Sequence, residues 1–293
     1  MRTSHFGRQR LTVIATSVAL TAGVLAAGGG PAAAITSAAT EPEEVVAAPQ
    51  EVLSHFLCYR GGFRPQFSSY PRVGLKDQFG RTKGRVGQAS LFCNATKKRH
   101  GDQVTRIVSI NDHLKGYRFR RILAVQPHSL HIQVGNQFGD AQRLRISGTP
   151  KMLLTPTQKR PHDRPKGLDH FLCYKVQEGE SINAVIKLRD QFRRYKKVRV
   201  LDPIMHCNPV KKRHDGGITP IKHPEAHLVC YTIRQRDLDP PQTRKTANQF
   251  ERAYIRAKTA VRLCVPSTKN VVVPEPVVPE PVKPSETLGS RDH

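Results

Sequence analysis

The chain has 293 residues, of which 48 are Lys or Arg and 23 are Asp or Glu, and its formal net charge is +25. Hydrophobic residues make up 38% of the chain, which excludes a wholly disordered protein. One apolar stretch approaches the length of a membrane-spanning helix, so a multi-span membrane protein is excluded as well.

The first 34 residues have the three-part pattern of a secretory signal peptide. Three Arg and no acidic residue open the chain, an apolar run covers 11–27, and 32–34 is Ala-Ala-Ala, a small-residue cleavage site. The alternative is an uncleaved anchor helix, for which a run of about 17 apolar residues is short. We expect cleavage after Ala34, an extracytoplasmic protein, and no membrane span after cleavage.

Segments of a different composition flank the central part of the chain. Residues 35–52 contain four Glu and no basic residue, and they are predicted to form an acidic, flexible leader. Residues 271–293 include the tract VVVPEPVVPEPVKP. Because Pro at this density favours an extended polyproline conformation, we expect a disordered, Pro-rich tail.

Between these flanks, three sequence marks recur four times in the same order. The first mark is HFLCY, HLKGY, HFLCY and HLVCY at 55–59, 113–117, 170–174 and 227–231. The second mark is DQF or NQF at 77–79, 136–138, 190–192 and 248–250. The third mark is LFCNATKK, MLLTPTQK, MHCNPVKK and RLCVPSTK at 91–98, 152–159, 205–212 and 262–269. The marks predict four tandem units of about 57 residues, called units 1 to 4 below, at 53–110, 111–167, 168–224 and 225–270.

Unit 2 lacks both cysteines of the other units and has Gly116 and Leu154 in their places. Bridges between consecutive units would leave Cys93 and Cys173 without partners, whereas bridges inside units leave no orphan. An even number of cysteines in an exported protein indicates disulfides. The predicted bridges are Cys58–Cys93, Cys173–Cys207 and Cys230–Cys264. Such bridges suit units that are too small to bury a large core.

The pattern inside a unit is that of short β-strands. In unit 3, a run rich in β-branched residues at 185–188 leads into the second mark, and Val198-Arg199-Val200 alternates apolar and basic residues. Prolines between the marks act as breakers, and no long helical apolar stripe is present. We expect an all-β fold with four or five short strands per unit. The units are expected to share sheet edges or to pack as beads.

The three marks resemble those of a repeat family of unknown function that occurs in secreted bacterial proteins. Unit 3 carries the best match, through His170, Cys173, Tyr174, Asp190, Gln191, Phe192, Cys207, Pro209 and Lys212. The resemblance covers about 53–270 and implies export and tandem repeats, but no particular activity. Unit 2 departs from the pattern at both cysteine positions.

Three residue types recur once in every unit. The Phe of the second mark is predicted to be a core aromatic, and the Asp or Asn before it to bond to the backbone at a turn. The Tyr of the first mark is predicted to be a half-buried ring with a hydrated hydroxyl. The His of the first mark is predicted to be buried and hydrogen-bonded, because no second fixed His or carboxylate accompanies it. The recurring residues are Phe79, Phe138, Phe192 and Phe250; Tyr59, Tyr117, Tyr174 and Tyr231; and His55, His113, His170 and His227.

Every unit contains more Lys and Arg than Asp and Glu, so the positive charge belongs to the units. After each recurring Phe, two basic residues are spaced by two and lie between or beside apolar residues. On a strand, this spacing places the basic pair outward and the apolar residues inward. The predicted binding residues, called the basic set below, are Lys83, Arg85, Arg143, Arg145, Lys197, Arg199, Arg256 and Lys258. The clusters KKRH at 97–100 and 211–214 are predicted to lie at turns.

This charge pattern predicts a secreted, non-enzymatic protein that binds anionic polymers. Acidic polysaccharide, cell-envelope polymer and extracellular nucleic acid are the expected partners. A plainer interpretation of the same residues is solvated charge that serves solubility. The alternatives are a secreted hydrolase with a site between units and a structural or adhesion module. No nucleophile elbow, P-loop or dinucleotide-binding fingerprint occurs, and we expect no catalytic centre, metal or cofactor.

Overall fold

The computed structural model describes residues 52–65, 70–122, 129–236 and 240–271. The predicted signal peptide, almost all of the leader and almost all of the C-terminal tail lie outside these residues. The described residues confirm the all-β prediction, because their regular structure consists of sixteen β-strands. No helix among them is long and apolar enough to cross a membrane.

Each unit contributes a strand with the first mark, a hairpin strand that leads to the second mark, and a strand with the third mark. Unit 1 contains β1 (His55–Arg64), β2 (Arg72–Asp77), β3 (Gly80–His100) and β4 (Gln103–Thr105). Unit 2 contains β5 (His113–Arg121), β6 (Leu130–Asn136), β7 (Gly139–Pro156) and β8 (Gln158–Lys159). Unit 3 contains β9 (Phe171–Glu178), β10 (Ala184–Arg189), β11 (Lys196–Pro209), β12 (Lys211–His214) and β13 (Gly217–Thr219). Unit 4 contains β14 (His227–Arg234), β15 (Gln242–Ala247) and β16 (Arg252–Val271).

The expectation of short strands is wrong for the strand that carries the third mark. β3, β7 and β16 contain 21, 18 and 20 residues. Each of these strands changes its neighbours along its length. β3, for example, pairs with β2 near its start, with β1 and β5 in its middle, and with β4 and β10 near its end. Local alternation cannot reveal such a strand, because the buried face changes where the neighbours change.

Eight strands form a closed ring of antiparallel pairs. β1 pairs with β3, and the pairing continues through β5, β7, β9, β11, β14 and β16, which pairs back with β1. Closure gives every ring strand a partner on both sides and so removes the exposed edges of an open sheet. The units therefore share strand pairs and are not separate beads.

The hairpin strands connect units that are not neighbours in the ring. β10 of unit 3 pairs with the end of β3 of unit 1, and β12 of unit 3 pairs with β2 of unit 1. In the same way, β16 of unit 4 pairs with β6 of unit 2, and β15 pairs with β8. Units 1 and 3 are interleaved by these pairs, as are units 2 and 4, so each unit depends on others to satisfy its backbone hydrogen bonds.

Where the ring strands carry the first and third marks, both of their faces are buried. In β1, Phe56 and Cys58 belong to the apolar cluster that contains all three disulfides, whereas Leu57 and Tyr59 belong to a second cluster. The second cluster includes apolar residues of the hairpin strands. Successive side chains of a strand point to opposite faces, which explains why the first mark is a continuous run of buried residues.

The three disulfides of the structure lie inside units, in the pairing expected from the sequence: Cys58–Cys93, Cys173–Cys207 and Cys230–Cys264. Each bridge joins residues that lie directly opposite on neighbouring strands. In unit 2, Gly116 and Leu154 occupy this register position. A Cβ atom on Gly116 would lie 3.2 Å from Leu154 Cδ2 and 3.0 Å from Met152 Sδ. Glycine therefore makes room for the Leu154 side chain, which fills the space of the missing bridge.

The second mark of unit 3 forms a buried contact with unit 1. Asp190 Oδ1 accepts a hydrogen bond from the backbone N–H of Phe192 at 2.9 Å, which is the turn contact expected from the sequence. Asp190 Oδ2 accepts hydrogen bonds from Tyr59 Oη and Asn94 Nδ2 of unit 1, both at 2.9 Å. The rings of Phe192 and Tyr59 pack edge to face with centroids 5.3 Å apart. The expectation of a hydrated Tyr hydroxyl is wrong, because this hydroxyl is buried and bonded to a carboxylate.

Contacts of this kind, called nodes below, occur at the second mark of every unit. Asp77 of unit 1 accepts hydrogen bonds from Tyr174 and Asn208 of unit 3. In units 2 and 4 the chemistry changes consistently, because Asn replaces Asp in the mark and Ser or Thr replaces Asn as its partner. These contacts join Asn136 to Tyr231 and Ser267, and Asn248 to Tyr117 and Thr157. In the DQF units the Asp accepts a hydrogen bond from an Asn side chain. In the NQF units the Asn donates a hydrogen bond to a Ser or Thr hydroxyl. The residue in the mark and its partner therefore change together.

The last Lys of each third mark completes the node of the following unit. Its ammonium group lies 4.4–5.6 Å from the ring centroid of the recurring Phe, a cation–π geometry. The four pairs are Lys98 with Phe138, Lys159 with Phe192, Lys212 with Phe250, and Lys269 with Phe79. Each recurring Phe is only partly buried and packs against the core. Every node therefore joins side chains from three units.

These lysines correct the prediction for the KKRH clusters. The clusters form the end of β3 and the whole of β12, and they do not lie at turns. One Lys of each cluster, Lys98 or Lys212, is buried. Burial lowers the pKa of Lys98 and Lys212 to about 8 and that of Lys159 to about 7. The residues are structural, because their charge faces an aromatic ring inside the protein.

The recurring histidines are buried, as expected. His55 and His170 contact Gln137 and Gln249, which belong to the second mark of the following unit. The hydrogen-bond prediction fails for His113 and His227, whose ring nitrogens have no hydrogen-bond partner among the described residues. Burial lowers the pKa of His55 and His170 to about 3 and that of His113 and His227 to about 2. All four are neutral at pH 7.

Candidate functional site

The basic set lies on the outward face of the long strands. Seven of its members are exposed, and Arg145 is half-buried. The apolar residues between or beside them are buried, with exposed fractions of 0–2%: Leu144, Ile146, Val198, Val200 and Ile255. This alternation is the one expected of half-buried strands. The structure does not, however, bring all eight residues into one cleft.

Lys197 and Arg199 line a cleft of about 650 Å³ where β11 of unit 3 meets β14 of unit 4. Three more basic residues line this 3/4 cleft, together with Tyr195 and Gln235: Lys196, Arg234 and Arg236. Arg199 and Arg234 lie directly opposite each other in the register of the two strands. No Asp or Glu of the described part of the chain lines the cleft.

An equivalent cleft of about 540 Å³ lies where β3 of unit 1 meets β5 of unit 2. Arg85 is its member of the basic set, and it lies directly opposite Arg120. These two residues hold the same positions in units 1 and 2 as Arg199 and Arg234 in units 3 and 4. The other described residues that line this 1/2 cleft include Arg118, Lys151, Gln88 and Tyr70, and no acidic residue is among them.

A third cleft of about 520 Å³ lies beside β15. It is lined by Arg160, Pro161, Thr243, Arg244, Lys245 and Tyr254. No member of the basic set lines this β15 cleft, and the described residues that line it include no carboxylate.

The junction of units 2 and 3 has the opposite electrostatics. Arg145 of β7 lies opposite Glu178 of β9, and the two side chains form an ion pair. The Arg145 guanidinium lowers the pKa of the Glu178 carboxyl below its usual range. Among the described residues, Arg145 is the one member of the basic set with an ion-pair partner. The basic pair of unit 2 is therefore partly neutralised.

Two like charges directly opposite each other on neighbouring strands destabilise a sheet. An Arg cannot relieve this repulsion by losing its proton, because a guanidinium group stays charged in proteins. Arg85 is flanked on both sides, by Arg72 of β2 and by Arg120 of β5. A bound anion between the guanidinium groups would convert each repulsive contact into an attractive one.

The tyrosines divide into two groups of different exposure. Of the seven in the chain, the four recurring ones are buried in nodes. Tyr70, Tyr195 and Tyr254 are 48%, 39% and 50% exposed, and each lines one of the three clefts. An aromatic ring that the fold leaves accessible at a charged cleft is typical of binding surfaces.

The basic set omits the residues that the following unit contributes to the 1/2 and 3/4 clefts. Arg118 and Arg120 in unit 2, and Arg234 and Arg236 in unit 4, are basic pairs spaced by two that follow the recurring Tyr. The same period-two rule that gave the basic set would have found them. The three exposed tyrosines reach the clefts through strand pairing. The sequence around each Tyr therefore does not predict that it lies beside basic residues.

No group of three or more His, Cys, Asp or Glu side chains in the described part of the chain is placed to hold a metal ion.

Neither the curated proteins nor the solved structures contain a match to this chain. A family model described as a repeat of unknown function (DUF7450) matches residues 113–266, which is more than half of the chain. The match includes the whole first mark of unit 2, in which Gly116 replaces the cysteine, and it extends into the third mark of unit 4. The chain therefore belongs to the DUF7450 family of repeats of unknown function.

Proposed function

We propose that this protein is secreted and binds anionic polymers without catalysing a reaction on them. The observation that carries the proposal is that two of the like-charged contacts between strands, Arg85 opposite Arg120 and Arg199 opposite Arg234, line clefts with both of their side chains. Each contact lines an open cleft that has no carboxylate among its described residues. The three disulfides support a site of action in an oxidising, extracytoplasmic compartment.

Both Arg–Arg contacts have an energetic cost. A like-charged pair directly opposite on two strands costs stability, and an opposite-charged pair contributes roughly 0.2–1 kcal/mol. At the junction of units 2 and 3 the contact is between opposite charges, Arg145 and Glu178. Residues that cost stability and occupy clefts are typical of functional sites. A phosphate, sulfate or carboxylate matches the planar fork of a guanidinium group and would offset the repulsion.

The presence of two equivalent clefts favours a polymer over a small anion. A chain long enough to reach both clefts binds the second one from a high effective concentration, which raises its overall affinity. Binding of a polyanion also releases condensed counterions, so we expect the affinity to fall steeply as salt is added.

The test compares two variants with the same loss of charge. In the cleft variant, Arg85, Arg120, Arg199 and Arg234 are replaced by Gln; in the control variant, Lys83, Arg143, Arg256 and Lys258 are replaced by Gln. The control residues are exposed and line none of the three clefts. Binding to polygalacturonate, inorganic polyphosphate and single-stranded DNA is measured at two salt concentrations.

We expect the cleft variant to bind at least about tenfold more weakly than the control variant, with a shallower dependence on salt because it releases fewer counterions. An equal loss in both variants would show that only bulk charge matters. Absence of binding by the unmodified protein at low salt would refute the proposal outright.

A further inference from the structure

The three clefts share a composition that attraction of an anion alone does not require. Each has one exposed Tyr, at least two Arg and one neutral hydrogen-bonding side chain. The neutral residues of the 3/4, 1/2 and β15 clefts are Gln235, Gln88 and Thr243. A surface that only collected positive charge would need neither the ring nor the neutral group.

Each of these groups recognises a different part of a ligand. The face of a Tyr ring packs against a flat or weakly polar ring. The Arg side chains bind a carboxylate, sulfate or phosphate group, and an amide or hydroxyl side chain exchanges hydrogen bonds with hydroxyl groups. A ring that carries one anionic group and several hydroxyls is an acidic sugar.

We infer that the 3/4 cleft is a subsite for one acidic sugar ring of a polysaccharide. The ring stacks on Tyr195, and its anionic group lies between Arg199 and Arg234. Residues directly opposite on neighbouring strands have Cβ atoms about 5 Å apart, so two guanidinium groups at these positions can hold one carboxylate. The 1/2 and β15 clefts repeat the composition and provide two further subsites. This inference rests on the proposed function and names its ligand class.

The arrangement favours a polysaccharide over a nucleic acid. Proteins that bind single strands stack successive bases on successive aromatic side chains along one groove. Here each cleft has a single exposed Tyr, and the three clefts share no lining residue. Separate single-ring subsites suit a polymer whose sugar rings are engaged at intervals.

The test uses short probes, which report on individual subsites. Tetragalacturonate provides rings with carboxylates, tripolyphosphate provides charge without a ring, and tetrathymidylate provides bases with phosphates. The variants replace Tyr70, Tyr195 and Tyr254 together by Ala or together by Phe. The control is Ile218→Ala, a change at a residue that is 58% exposed and lines none of the clefts. Calorimetry gives the affinity and the stoichiometry of each probe.

We expect the triple Ala variant to bind tetragalacturonate about tenfold more weakly, which corresponds to ~1.4 kcal/mol, and to bind tripolyphosphate unchanged. The triple Phe variant keeps the rings and should bind as the unmodified protein does. Tyr195→Ala alone should weaken the binding of one of three equivalents of tetragalacturonate by the same factor and leave the other two equivalents unchanged.

The inference is overturned if the triple Ala variant keeps its affinity for tetragalacturonate, or if it loses the same factor for tripolyphosphate. Tighter binding of tetrathymidylate, lost in the Ala variant, would assign the rings to nucleic acid instead. Each of these results leaves polyanion binding intact. Failure of the unmodified protein to bind any polyanion would refute the proposed function itself.

Discussion

Basic residues have opposite roles in two regions of this molecule. At the nodes, a buried Lys lies over a Phe ring, as Lys159 does over Phe192. At the clefts, an exposed Arg lies opposite another Arg, as Arg199 does opposite Arg234. The node contacts stabilise the folded protein, whereas the Arg–Arg contacts at the clefts destabilise it. The high net charge of this protein therefore comes from two kinds of basic residue. Those at the nodes stabilise the fold, and those at the clefts remain available to a ligand.

The two regions should respond differently to substitution. A change at a node should lower the free energy of unfolding and leave the affinity of the folded protein for polyanions unchanged. A change at a cleft should alter the affinity and leave the stability equal or higher.

Asp190→Ala should cause the largest loss of stability. The carboxylate accepts four hydrogen bonds from buried or half-buried donors, two of them from unit 1. Leaving buried donors unsatisfied costs about 1–3 kcal/mol for each group, so we expect a loss of roughly 3 kcal/mol or more. Denaturant unfolding measures the loss, with the exposed Asp202→Ala as the matched control. A loss equal to that of the control would contradict the role assigned to the nodes.

Acidification should weaken the fold by several kcal/mol. The pKa values of five buried histidines are lowered by burial to about 2 or 3: His55, His113, His170, His206 and His227. The folded protein therefore binds fewer protons than the unfolded chain, whose His pKa is near 6.5. The stability from these residues is complete above pH 6.5 and is lost as the pH falls toward 3.

An effect of opposite sign comes from three buried carboxyl groups, because burial raises the pKa of Asp112 to about 6 and also raises the pKa values of Asp77 and Asp190. Their contribution is favourable at low pH and is lost as the pH rises through their pKa values in the folded protein. The free energy of unfolding, measured between pH 8 and pH 4, should therefore fall with acidification. It should fall less steeply in a His55→Gln variant than in the unmodified protein. The control variant, His131→Gln at an exposed position, should have the same slope as the unmodified protein. A flat profile would contradict the buried, neutral state of the histidines.

Arg234→Glu should have the smallest effect on stability, and its sign is the informative part. The change places a carboxylate opposite Arg199 and copies the Arg145–Glu178 contact. We expect the protein to be more stable by about 0.5 kcal/mol and to bind polyanions more weakly. The reverse change, Glu178→Arg, should create a further Arg–Arg contact that lowers stability and strengthens binding. Thermal unfolding measures the stability of both variants, and a titration measures their affinity for a polyanion. A loss of stability in Arg234→Glu would contradict the claim that Arg199 and Arg234 repel each other.

The sequence predicts those parts of the structure that depend on local pattern. Alternation places Val198 and Val200 inside and Lys197 and Arg199 outside, as observed. The simultaneous loss of both cysteines from unit 2 predicts the bridges inside units. Turn chemistry predicts the contact between the side chain of Asp190 and the backbone of Phe192.

The nodes could not be predicted in this way. Tyr59 and Asp190 are 131 positions apart and meet only because units 1 and 3 interleave. Lys115 is a further example, since it occupies the position of an apolar residue in the other units. It is fully buried, with its ammonium group 2.5 Å from Glu251 Oε1 of unit 4. A Lys in a sequence is expected at the surface. Its burial could not be predicted here, because the carboxylate that pairs with it comes from a distant strand.

The closed ring also constrains how such a protein can change over generations. Linear arrays of repeats gain and lose copies readily, because their two ends are open and each repeat contacts only its neighbours. Here β16 returns to β1, so a duplicated or deleted unit would have to break an existing strand pair and alter the circumference of the sheet. Recombination between units is therefore costly, whereas substitutions on the outward faces of the strands leave the circumference unchanged. New ligand preferences in this lineage should arise by substitution in the clefts and not by change of copy number.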